Sequence, residues 1–162
     1  MKIGNIIIAS IVGTSFMTLY SYIISKREKD QFVEPVLINE LIDRSEVLPD
    51  IDNAEKAVHP AGWLGHYGIG VAFVLAYYIL WRRSLTSPSI AKGLAIGAAS
   101  GLVGIGSWKI MFAANDNPPQ NDRYKYYRQL FIAHLIFTVF ALYGYKLPDY
   151  LSKSGKLLSL TR

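Results

Sequence analysis

IGNIIIASIVGTSFMTLYSYIIS, residues Ile3–Ser25, is the stretch that decides the fold, because it runs for twenty-three residues without one charged side chain. Roughly 20 apolar residues, rising about 1.5 Å each in a helix, cross the hydrocarbon core of a bilayer. A secretory signal peptide would have a shorter apolar core and a small-residue cleavage site. The segment is therefore read as an uncleaved first span. Three further apolar runs follow. One covers Ala61–Trp81 and stops at Arg82-Arg83, and one covers Ile90–Ala114, interrupted only by Lys92 and Lys109. The last covers Tyr124–Tyr145. Trp63, Trp81 and Trp108, with many of the tyrosines, fall near the predicted ends, as in the aromatic belts at membrane interfaces. The expectation is an all-α integral membrane four-helix bundle. It forms a single domain over residues 1–162, with a basic C-terminal tail over 146–162.

Charge placement supports this more than average composition does. Nine of the twelve acidic residues lie between Glu28 and Glu55, leaving long stretches nearly bare. The net charge of +5 comes from Lys and Arg that flank apolar runs and form no stripe. That pattern anchors helices at an interface and argues against nucleic acid as a partner. The chain has no cysteine, which excludes disulfides, thiolate metal sites, a Cys nucleophile and covalent c-type haem. With both termini placed in the cytoplasm, the inner segments are shorter and denser in Lys and Arg, and this orientation is preferred.

Between spans one and two, Glu34-Pro35 has the form of a helix start. Val36, Leu37, Ile38, Leu41 and Ile42 then recur at helical spacing against Asn39, Glu40, Asp43 and Arg44. A short amphipathic helix over about 35–44 is expected, lying on the membrane surface or capping the bundle. The acidic stretch Ser45–Lys56 reads as an exposed loop, and Asn115–Asp122, with Pro118-Pro119, as a tight turn.

In lipid, helices associate by close backbone approach through small residues. Span three carries Gly93, Gly97 and Gly101 four residues apart, with Gly104 beside them, and is expected to be the central helix. Span two offers Gly68 and Ala72 for packing. Span one has a hydroxyl stripe, Ser10, Thr14, Thr18, Ser21 and Ser25, of the kind that bonds its own carbonyls or a neighbouring helix. The equal separations His66 to Tyr77 and His134 to Tyr145 hint at two related hairpins.

Ionisable residues inside a membrane are functional candidates by default. His66, Lys109 and His134 fall in the same half of the bilayer, with Tyr67, Tyr127 and Thr138 as neighbouring polar groups. Bland roles exist for each. Lys109 beside Trp108 can reach back to the interface, and the histidines can hydrogen-bond across helices. Sharper roles are a polar pocket for a lipid headgroup or small anion, with Lys109 as its cation, and a proton relay. A third is b-type haem with His66 and His134 as axial ligands. The haem reading is not favoured, and no other metal is expected. No catalytic motif is present.

The run Gly13-Thr14-Ser15-Phe16-Met17-Thr18 is followed by Glu34-Pro35-Val36-Leu37. His66-Tyr67-Gly68-Ile69-Gly70, Trp108-Lys109, Asn117-Pro118-Pro119 and Tyr126-Tyr127 with His134 come after it. Together, from Gly13 to Tyr145, they make a chain that resembles small four-span bacterial inner-membrane proteins described only as uncharacterised. The resemblance implies a bacterial cytoplasmic-membrane location and carries no activity. The leading expectation is a non-catalytic accessory or binding subunit whose partners are the lipid bilayer and other membrane subunits or copies of itself. The alternative is a small transporter or proton-conducting protein using His66, Lys109 and His134.

Overall fold

A computed structural model describes residues 2–45 and 56–152. Six helices follow in order: α1 Ile3–Glu28, α2 Glu34–Asp43, α3 Pro60–Leu80, α4 Arg82–Thr86, α5 Ile90–Ala113 and α6 Arg123–Gly144. No strand occurs among the described residues. Four of these helices, α1, α3, α5 and α6, are long and apolar enough to cross a membrane, which is compatible with a multi-pass integral membrane protein. Local chemistry sets the boundaries. α1 ends where Lys29 turns left-handed (φ 53°) and returns its N–H to Ser25 O. Ser89 and Asp122 cap α5 and α6 by accepting from Lys92 N and Lys125 N. Lys2 Nζ lies 2.7 Å from Asp149 Oδ1, so α1 begins at the end of the bundle where α6 finishes.

The central helix is α6, where the sequence pointed to span three. α6 packs along α1 on one side and α5 on the other, whereas α3 leans on α1 and α2. A row of glycines gives a helix one close seam, and a hub needs two. The α5 row faces α6 alone. A Cβ added at Gly97 would come within 2.8 Å of Leu135 Cα, and one at Gly93 within 3.0 Å of Val139 Cα. The second seam comes from α1, where a Cβ at Gly13 would lie 2.8 Å from Phe137 O and 2.9 Å from Ala141 Cβ. Gly68 and Ala72, expected to pack, face away from the bundle, and a Cβ at Gly68 would meet nothing within 4 Å. The packed face of α3 is instead Gly62, His66, Gly70, Val74 and Tyr77.

Of the two places expected for the amphipathic helix, α2 takes the capping one. Phe32, Glu34, Leu37 and Asn39 are all fully buried. Asn39 holds the helix in place. Its Oδ1 accepts the Gly62 N–H at 2.7 Å, satisfying one of the orphan donors at the start of α3. Its Nδ2 donates to Lys56 O and His59 O. The suspected hairpin symmetry is absent from the packing, because it would pair α3 with α5 as α1 pairs with α6, and α3 and α5 barely touch. The acidic loop reading falls mainly on residues 46–55, and most of the basic tail on 153–162, outside the described residues.

Candidate functional site

The gap between α3 and α5 leads into a chamber of about 180 Å³ inside the bundle. Thr14 and Met17 of α1, Glu34 and Ile38 of α2, and Trp108 and Met111 of α5 contribute to its wall. His66 and Phe73 of α3 and His134 and Phe137 of α6 complete it. Ile69 and Ser107, both exposed, form its rim, so it opens sideways toward the surroundings of the bundle. Trp108, which the sequence placed in an interfacial belt, is buried in this wall, tilted against Phe112 and edge-to-face with Tyr126.

Each histidine has a tautomer fixed by its neighbours. Thr18 Oγ1 donates its single hydrogen to Thr14 O at 2.8 Å, four residues back in α1. It must therefore accept from His66 Nε2, 2.9 Å away, which leaves Nδ1 of the neutral ring as an acceptor. His134 Nδ1 donates to Leu130 O at 2.9 Å, leaving Nε2 as its acceptor. Gly104 makes room for this ring, since a Cβ there would come within 2.6 Å of Nε2. Phe73 meets the His134 ring edge-on at 5.4 Å.

The third polar group is one the sequence reading treated only as a helix start. Glu34, in the first turn of α2, is 1% exposed and sits inside the bundle. Its Oε1 accepts from Ser21 Oγ at 2.7 Å and, at 3.5 Å, from Gln129 Nε2, while its Oε2 has no hydrogen-bond partner among the described residues. Burial pushes the carboxyl up from 4.5 to about 7, because removal from water penalises the anion. The Ser21 hydroxyl, the local backbone and Gln129 offset this only in part. A signal was present in the sequence: Glu34 interrupts the apolar run Phe32-Val33 and Pro35-Val36-Leu37.

The other residues expected at a joint polar site are dispersed. Lys109 is exposed on the outer side of α5, with its ammonium 5.5 Å from the centre of the Tyr127 ring. A charge that can reach back toward the interface along a flexible stem has no reason to enter an apolar wall. Tyr67 faces the other side of α3, where its hydroxyl is 2.9 Å from Ser15 Oγ. Thr138 lies one turn beyond His134, and its Oγ1 is 2.9 Å from the Tyr77 hydroxyl, which also meets Ser100 at 2.7 Å. An anion pocket with Lys109 as its cation and Tyr67 or Tyr127 as donor therefore does not coincide with the chamber, whose lining contains none of the three. Haem does not fit either. A cavity of roughly 150 Å³ admits a benzene ring, so a chamber of about 180 Å³ is far too small for a tetrapyrrole between the two imidazoles. The chamber presents acceptors among aromatic walls, with no Lys or Arg lining it among the described residues. No protein-family model, curated protein or solved structure matches this chain.

Proposed function

We propose that this chain is a bacterial inner-membrane protein with both termini in the cytoplasm, and that it binds a small molecule in the chamber between α3 and α5. One observation carries this reading. Glu34 is a fully buried carboxyl with one oxygen unpartnered, set in the wall of a chamber that also holds two imidazoles with unused acceptor nitrogens. Burying the Glu34 oxygen without a partner is unfavourable by roughly 1–3 kcal/mol, more if it carries the charge. A bundle needing only stability would fill the space with apolar side chains. The gap admits molecules dissolved in the bilayer.

Trp108 reports on occupancy. With Trp63 and Trp81 replaced by phenylalanine, it is the remaining tryptophan. Its emission should respond saturably to single-ring solutes and not to molecules of two fused rings. Responses that grow linearly with concentration for every solute would show partitioning into the detergent or lipid and sink the binding role.

The accessory-subunit reading draws on a different feature. Gly65, Gly68 and Ala72 lie on the outward face of α3, and an added Cβ at either glycine meets nothing within 4 Å. In lipid such a face suits close approach by another helix, from a second copy or a different subunit. Gly68→Leu should abolish co-purification of any stoichiometric partner in mild detergent while leaving the unfolding midpoint unchanged. A partner retained in full would remove this face from consideration.

A further inference from the structure

The unused polar atoms around the chamber are nearly all of one kind. Glu34 Oε2, His66 Nδ1 and His134 Nε2 are acceptors. The Thr14 hydroxyl, buried and unpartnered among the described residues, can both donate and accept. We propose that the chamber binds a small organic ammonium ion, with its charge and N–H donors toward Glu34 and its apolar body extending past the imidazoles between Trp108, Phe73 and Phe137. This rests on the chamber being a ligand site, and it names the class of ligand.

Charge and geometry exclude the competitors. An anion would meet a carboxylate and no cation. A neutral hydroxyl compound would fill acceptors only with the carboxyl keeping its own proton, since it brings no charge to balance the anion inside the bundle, where unpaired ions are strongly disfavoured. A bare metal ion fails on spacing, since no three His, Cys, Asp or Glu among the described residues stand close enough to hold one. Gln129, which touches Glu34, and His134 are five residues apart on α6, or about 7.5 Å at 1.5 Å per residue. A molecule about one ring long reaches both levels. Aromatic faces attract cations by a further electrostatic contribution that grows when water is excluded.

The same carboxyl makes binding proton-linked. His66 of α3 and His134 of α6 share the chamber wall with Glu34, and Tyr126 of α6, whose buried hydroxyl is unpartnered among the described residues, lies near it, while α1 offers Ser21, Thr14 and Met17 and α5 offers Trp108 and Met111. None of these is a fixed cation, so a proton or the ligand supplies the compensating charge. With the carboxyl titrating at about 7, ammonium binding weakens toward tenfold per pH unit below that value and levels off above it. Below that value up to one proton leaves the carboxyl as each cation enters, and well above it none does.

The test uses the full chain with Trp108 as its single tryptophan, in lipid nanodiscs, titrated with benzylammonium, its neutral isostere benzyl alcohol, and benzoate. At pH 8 benzylammonium should half-saturate at a concentration at least tenfold below benzyl alcohol, and benzoate should give no saturable response. Its affinity should fall between pH 8 and pH 6, with protons released on binding. Glu34→Gln, which keeps the acceptor for Ser21, should lose the preference for the cation. Should that variant fail to fold, the pH dependence and proton release of the parent chain decide alone. Benzyl alcohol binding as tightly as benzylammonium, with no pH dependence, would overturn the ammonium assignment and leave the chamber as a ligand site. No saturable response from any of the three would overturn both.

Discussion

Replacing Gly62 by alanine should release α2 from the bundle and expose the helix that carries Glu34. The added methyl would overlap the Pro35 carbonyl oxygen and the Asn39 side chain. The first is backbone and cannot swing aside. The second is the residue whose Oδ1 takes the Gly62 N–H at 2.7 Å and whose amide ties down Lys56 O and His59 O. Overpacking costs about 1–3 kcal/mol, and loss of a capping interaction about another 1. The expected loss is thus about 2–4 kcal/mol, concentrated at the α2–α3 contact. Because the chain has no cysteine, one introduced at Leu37, a fully buried position on α2, is a clean reporter. Maleimide labelling should be slow when Gly62 is retained and at least tenfold faster in the Gly62→Ala variant. Equal rates would mean that α2 is not held in the way described.

Glu34→Gln should make the protein more stable above neutral pH and remove part of its pH dependence. A carboxyl whose folded value is raised is held in its protonated form more tightly by the native state than by the unfolded chain. Stability therefore declines as pH rises from about 4.5 to about 7 and is level beyond, the opposite of a carboxylate in an ion pair. At about 1.36 kcal/mol per pH unit, the difference amounts to on the order of 3 kcal/mol at pH 8. Glutamine keeps the acceptor for the Ser21 hydroxyl and carries no charge to desolvate. Other groups titrate in both chains, so the difference between their unfolding midpoints isolates Glu34. That difference should be near zero at pH 4 and grow through pH 7. A glutamine variant less stable at pH 8 than its parent would show that a cation of the protein already neutralises Glu34.

Much of the architecture was legible because bilayer thickness imposes one length on every span. The four apolar runs at 3–25, 61–81, 90–114 and 124–145 correspond closely to α1, α3, α5 and α6. The largest boundary difference is at α1, which continues through Lys26-Arg27-Glu28 to the left-handed Lys29. Pro35 marked the start of α2 for a reason local to the backbone, its missing N–H. The hydroxyl stripe could also be read in part: Ser10 and Thr18 donate to carbonyls four residues back, as their spacing suggested.

What failed were inferences about which side of a helix meets which neighbour. Gly68-Ala72, four residues apart, and Gly62-Gly70, eight apart, each mark a small-residue face, and only the position of α1 and α2 selects the second. His66 and His134 were singled out and do line one chamber, but Lys109, equally conspicuous, stays on the outer surface. Glu34 was overlooked as a site because an acidic residue at the start of an amphipathic helix is ordinary in solution.

The sequence by itself determined the number of long apolar helices, their order and their approximate ends, because hydropathy and backbone breakers act locally along the chain. The tertiary structure alone decided that α6 is the hub, that α3 and α5 stand apart, and that α2 turns its first residue inward. Those outcomes depend on contacts between residues as distant as Ser21, Glu34 and Gln129. Burial, the property that turns an ordinary glutamate into a group titrating at about 7, exists only once those helices have packed.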